Sequence, residues 1–202
     1  MRDEKISDFL ARLADRVPAP GGGAAAALHA AQAAALLGMV ARYSTGEKYA
    51  EHKLIITQTD ELRSTALRLA EDDAAAFTAV TYAYQLPKDT DETKAARSAA
   101  VTKALIGAGE PPAEVIAAAR VAVELAEELL PIGNRNVITD IAAATEAARA
   151  AATTARVNVE INLGGITDGQ ARAELAAEAD KVDDIAARAE QVTAAVRKEI
   201  TR

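Results

Sequence analysis

Cysteine is absent from this 202-residue chain, tryptophan is absent too, and aromatic residues make up only 3% of it. Without cysteine there is neither a disulfide framework nor a thiolate-held metal. The two histidines, His29 and His52, lack the i, i+4 spacing of a helical zinc pair, so no metal is expected. A core poor in aromatics must be built from closely packed Ala, Leu, Val and Ile, which suits helices better than a sandwich or barrel. Basic charge is in deficit: 23 Lys and Arg stand against 30 Asp and Glu, a net charge of −7. No nucleic-acid partner is expected of such a balance, although a small acidic ligand needs only a local cluster of cations. The longest apolar run, 24–41, is mostly alanine, which contributes little transfer energy, and His29 and Gln32 interrupt it. No membrane partner is expected. The glycines ahead of that run lack the GxxxxGK[ST] pattern of a phosphate-binding loop. The first ten residues, "MRDEKISDFL", read as a charged helix start rather than a signal peptide, and a cytoplasmic location is expected.

What is present is helical pattern nearly throughout. Half of the residues are hydrophobic and 26% are charged, enough for a sizeable core in a single domain over residues 1–202. Ile6, Phe9, Leu10 and Leu13 recur at helical spacing before Pro18 and Pro20. A second helix opens at Gly21–Gly23 and runs to about Arg42, and a third follows the polar turn "YSTGEKYAEHK" and ends near Gln85. "LPKDTDE" leads into a fourth helix, about 92–106, and "GAGEPP" is expected to break the chain before a fifth that starts at Pro112. Gly133 stops that one, a sixth covers about 136–162, and one last helix fills the tail to about Glu199. "VNVEINL" alternates like a short strand but continues the sixth helix. The expected fold is all-α, a multihelical antiparallel bundle of six or seven helices. Because the apolar second helix needs neighbours on every side, a homodimer is expected.

Three groups of polar residues interrupt this pattern. Asp72 and Asp73 lie mid-helix in "AEDDAAAFTAV". Either both are solvated, or one turns about 100° inward and becomes a partly buried carboxylate able to shuttle a proton. "GNRNVITD" gathers Asn134, Asn136, Thr139 and Asp140 at a helix entrance, where capping explains Gly133 and one Asn but not Asp140. Asn158 and Asn162 are i and i+4, either a helix–helix hydrogen bond or a ladder for a heterocycle with amide-like edges. Asp140 and Asn158 stand about 27 Å apart along one helix. One small reacting centre cannot touch both, unless the ligand is long or two chains contribute. His29 reads as an interior or interface imidazole, and Lys48 as a surface charge or local anion contact.

In this order, "PAPGGGAAAA", "GEKY", "EDDAAAFTAVTYAYQLPK", "GNRNVITD" and "VNVEINLGGITD" resemble the cyclodeaminase domain of formiminotransferase-cyclodeaminase and the stand-alone methenyltetrahydrofolate cyclohydrolases of the same family. The likeness extends from about Phe9 to the tail. It implies a dimeric helical enzyme acting on one-carbon tetrahydrofolates with no cofactor and no metal. It implies Asp73 as catalytic acid/base, and Pro20, Gly21, Gly22, Gly23, Lys48, Asn134, Thr139, Asp140, Asn158 and Asn162 as substrate-binding residues. Lys48, Arg42 or Arg135 would meet the substrate's glutamate tail. Ala24 stands where the family's glycine loop has Ser, and Thr139 where Ser is common. The transferase half of the bifunctional proteins has no counterpart in these residues. The expected activity is therefore hydrolysis of 5,10-methenyltetrahydrofolate to 10-formyltetrahydrofolate; the alternatives are a formiminotetrahydrofolate cyclodeaminase and a catalytically inactive helical dimerisation module.

Overall fold

The computed structural model describes residues 3–44, 46 and 52–201. Among them are seven α-helices and no strand: α1 Ile6–Ala14, α2 Gly22–Tyr43, α3 His52–Gln85, α4 Asp91–Ile132, α5 Ile138–Leu163, α6 Gly169–Asp180 and α7 Val182–Ile200. A 3-10 turn, Arg135–Val137, precedes α5.

α2 is the axis of the bundle, packed against α3, α5 and α4. Ala24, Ala27, Ala30, Ala34, Leu37 and Ala41 are fully buried along it. Alanine lets the neighbouring axes come close while each contact buries little area, so stability is spread over many small contacts. By length and composition α2 could cross a membrane, yet 61% of its most apolar stretch is buried inside the bundle. α3 and α5 run antiparallel to it. Gly23 at its start faces Asp73 well along α3, whereas Arg42 at its end meets Asp60 near the start of α3 at 2.6 Å. Likewise Gly22 lies against Asn158 late in α5, and Val40 lies against Gly133, just ahead of α5. α7 returns along α5, held by Arg156–Asp183 at 2.6 Å and Thr145–Thr193 at 3.1 Å. A two-bonded Arg188–Glu127 pair ties it to α4.

Three local expectations meet a different outcome or a resolved choice. "GAGEPP" does not break the chain: α4 runs unbroken through Pro111 and Pro112. Both prolines are buried, so packing outweighs the helix-breaking tendency. The tail divides at Lys181, whose N–H bonds back to the Glu178 carbonyl in a tighter turn that no Gly or Pro announces. "VNVEINL" is helical. In α1 only Phe9 is buried, while Ile6 and Leu10 are 79% and 54% exposed. They border an open groove of about 390 Å³ floored by Leu28, Ala31 and Ala35 of α2 and Leu67 and Ala70 of α3.

Candidate functional site

The entrance to α2 has no side chain of its own to cap it. Its N-cap is Gly21, which has no side chain with which to bond the first turn. In an α-helix the first N–H groups have no intrahelical acceptor, and they carry the positive end of the helix dipole. The cap comes from another helix: the Asp73 carboxylate of α3 stands at this first turn against Gly23, where the Ala24 N–H favours its ionised form. Its carboxylate lies so close to Gly23 that a Cβ there would stand 1.9 Å from Asp73 Oδ1. The glycine is required by this approach, since any side chain would occupy the carboxylate's place. Burial pushes the Asp73 carboxyl above the ordinary carboxylate range of 3.8, and the Ala24 N–H offsets this in part. Asp72 turns elsewhere and pairs with Arg68 at 2.6 Å. One of two adjacent carboxylates is thus tied up as an ion pair, while the other is held at a helix entrance.

On the opposite wall stand Asn158 and Asn162 of α5. Asn158 Nδ2 donates to the Thr154 carbonyl at 2.9 Å. Asn162 Nδ2 donates to the carbonyls of Asn158 at 2.8 Å and Ala108 at 3.3 Å. Carbonyl partners require NH₂ groups at those positions, which settles the orientation of both amides. Each amide oxygen is left without a protein donor among the described residues. The Ala108 carbonyl is open to Asn162 because the residue four places on is Pro112, which has no N–H to give it.

These groups line one cavity of about 370 Å³, with Pro20 and Gly21–Gly23 on one side and Asp73, Asn158 and Asn162 around it. The Ala19–Pro20 peptide leading into it is cis. Phe77 and Ile161, 48% and 77% exposed, form an apolar rim. Both escaped the sequence reading, although Phe77 is i+4 from Asp73 and Ile161 lies one residue before Asn162. Other expected site residues fall at the far end of the bundle. Asn134 caps the 3-10 turn and donates to the Tyr43 carbonyl, Thr139 is exposed, and Asp140 is half-buried near the start of α5. The capping reading accounts for Asn134. Arg42 is held by Asp60, and Arg135 pairs with Glu199. The structure does not bring these residues to the cavity, and Lys48 lies outside the described residues. No cluster of three His, Cys, Asp or Glu side chains able to hold a metal occurs among the described residues.

A half-buried carboxylate at a helix entrance, faced by two open amide oxygens in a small apolar-rimmed cavity, defines a helical-bundle site suited to moving protons on a polar heterocycle. The chain belongs to the formiminotransferase-cyclodeaminase family, which it matches over residues 5–181. It is 40% identical over 171 residues to the methenyltetrahydrofolate cyclohydrolase of Methylorubrum extorquens, the alignment taking 82% of each chain. It is 34% identical to the formimidoyltransferase-cyclodeaminase of Sus scrofa, covering 84% of this chain but 32% of that longer protein. The crystal structure of formiminotetrahydrofolate cyclodeaminase from Thermotoga maritima superposes with a TM-score of 0.82 at 28% identity, covering 98% of this chain and 96% of that one.

Proposed function

We propose that this protein hydrolyses 5,10-methenyltetrahydrofolate to 10-formyltetrahydrofolate, with Asp73 moving the protons. The observation that carries the reading is the Asp73 carboxylate lodged against Gly23 and sharing its cavity with two amide oxygens. The likeness to the Methylorubrum cyclohydrolase supports the choice of reaction. In the substrate a cationic carbon bridges N5 and N10. Water adds to that carbon as Asp73 takes its proton, giving a neutral carbinol. The carbon–N5 bond then breaks as the hydroxyl proton is lost and N5 gains one, leaving the formyl group on N10. One proton is released overall, and a positioned carboxylate contributes typically 10²- to 10⁴-fold to such steps. Asn158 and Asn162 offer acceptors to the N–H edge of the pterin, and the start of α2 offers N–H groups to the developing oxygen charge.

The Thermotoga likeness favours a second reading, in which N10 attacks a 5-formimino carbon and ammonia leaves. The two are separated by supplying each substrate in turn, following methenyltetrahydrofolate absorbance and released ammonia, with the buffer-catalysed opening subtracted. Hydrolysis without ammonia release from the formimino substrate supports the first reading. No turnover of either would leave the inactive dimerisation module.

The pH profile gives a separate check. A carboxylate acting as base must be ionised, and burial raises its pKa. The acid limb of kcat/KM should therefore titrate above the ordinary 3.8 and vanish in Asp73→Asn. A limb at or below 3.8 would show that another group controls the rate.

The protein is further proposed to be a homodimer. The exposed Ile6 and Leu10 beside the apolar α1–α2–α3 groove support a second copy covering that face. Static light scattering at micromolar concentration should give twice the chain mass; a monomer would refute it.

A further inference from the structure

Resting on the folate reading above, we infer that Arg97 receives the carboxylate tail of the substrate, at the far end of an apolar track that leads from Asp73 along α3. The residues Asp73, Phe77, Val80 and Tyr84 follow the i, i+4, i+7, i+11 spacing that keeps side chains on one helical face. The first three line the cavity, so that face of α3 is the one turned to the ligand. Tyr84, half exposed, continues it beyond the cavity. Eleven residues of helix put Tyr84 about 16 Å from Asp73. The p-aminobenzoyl-glutamate arm of a folate, counted from the reacting carbon to its carboxylates, spans roughly 10–15 Å on ordinary bond lengths. The cavity of about 370 Å³ suits the pterin, and the arm must leave it. Phe77 and Val80 offer the aromatic ring of that arm an apolar bed on the way out.

Arg97 stands where the arm ends. α4 folds back on α3, and the Arg97 guanidinium sits over the Tyr84 ring, 5.4 Å from its centroid. Nε and Nη2 donate to the Tyr84 carbonyl at 3.2 and 3.1 Å. The guanidinium is therefore held in place by the main chain and a ring face, with no carboxylate partner among the described residues. Most arginines of the bundle differ: Arg42, Arg68, Arg120, Arg156 and Arg188 each have a carboxylate. The Nη1 side of Arg97 keeps donors for an incoming carboxylate, in the fork geometry that suits it. Arg42 and Arg135, which the sequence offers for the same duty, are paired with carboxylates at the other end of the bundle.

The test compares substrates with and without the tail. Wild type, Arg97→Ala and Arg97→Lys are assayed with methenyltetrahydrofolate carrying one and three glutamates, and with the methenyltetrahydropteroate that carries none. Arg97→Ala should raise KM for both glutamyl substrates about tenfold, leave kcat within about twofold and leave the pteroate kinetics unchanged. Arg97→Lys should recover part of the loss. Equal damage to the pteroate would mean that Arg97 only secures the end of α3, and an unchanged glutamyl KM would mean that the tail lies elsewhere. Either result overturns the inference. Calorimetric titration with tetrahydrofolate and tetrahydropteroate separates this from the reaction assignment. A tail-dependent affinity lost in Arg97→Ala in a protein that hydrolyses nothing would sink the proposed reaction and keep Arg97; a tail-independent affinity would sink Arg97 alone.

Discussion

Replacing Asp73 by Asn is expected to slow hydrolysis of 5,10-methenyltetrahydrofolate by about 10²- to 10⁴-fold and to leave the fold intact. Asn keeps the shape of the carboxylate and an oxygen for the Ala24 N–H, but it cannot take up and return a proton. Asp72→Asn is the paired control. It gives up an ion pair with Arg68 whose two side chains are nearly half exposed, and turnover should stay within about twofold. The stability change has a defined sign. Burial raises the Asp73 pKa in the folded chain, so between 3.8 and that raised value the folded state binds more protons than the unfolded one. Wild-type stability is therefore lost as pH rises through this window. Asp73→Asn should be at least as stable as wild type at pH 7, with the advantage shrinking as pH falls toward 3.8. Urea melts at both pH values, run beside the kinetics, check the two halves together. A variant that turns over like wild type removes Asp73 from the mechanism, and one that is dead because it is unfolded fails the melt.

Gly23→Ala should damage activity through geometry rather than chemistry. Its Cβ would stand 1.9 Å from Oδ1, 2.4 Å from Cγ and 2.8 Å from Oδ2 of Asp73, so the whole carboxylate must leave its place. Displacing a reacting group by about an ångström can lower turnover on the order of 100-fold, and a loss of about 10- to 100-fold is expected here. Stability should change little. Ala is favoured over Gly in a helix by up to about 1 kcal/mol, which offsets the lost cap. The neighbouring Gly22→Ala places its Cβ 3.4 Å from the Asn158 amide, an ordinary contact, and should keep most of the activity. Equal activity in the two variants would show that the close approach of Asp73 to Gly23 has no catalytic role.

Helical periodicity made α2, α3 and α5 legible, because each carries several turns of pattern between strong punctuation such as Pro20, Pro87 and Gly133. α1 is the helix that the spacing of Ile6, Phe9 and Leu10 announces, but an apolar stripe reads the same whether it faces this chain's core or an open groove. The division at Lys181 left no mark in the sequence. Within the site, Asp73, Asn158 and Asn162 stood out as polar residues interrupting apolar helices. Spacing within α5 already separated Asp140 from Asn158, but not which end of the bundle would meet the glycines. That depends on the antiparallel pairing of α2 with α3 and α5, a long-range fact. The placement of Arg97 was hidden for the same reason. It faces Tyr84 only because residues 86–90 reverse the chain between α3 and α4.

Pro112 looks like a flaw in α4 and works as a selector for Asn162. By withholding an N–H from the Ala108 carbonyl it leaves a socket in the helix wall, and Asn162 plugs into it. A side chain anchored there loses rotamers before any ligand arrives, so less ordering entropy is left for binding to overcome. Engineering for stability by raising helix propensity would choose Pro112 first, and Ala at that position would close the socket by restoring the backbone bond. Asn162 would then keep only its bond to the Asn158 carbonyl and be free to wander. A more regular helix would make a less ordered pocket, and the gain in melting temperature would come out of affinity.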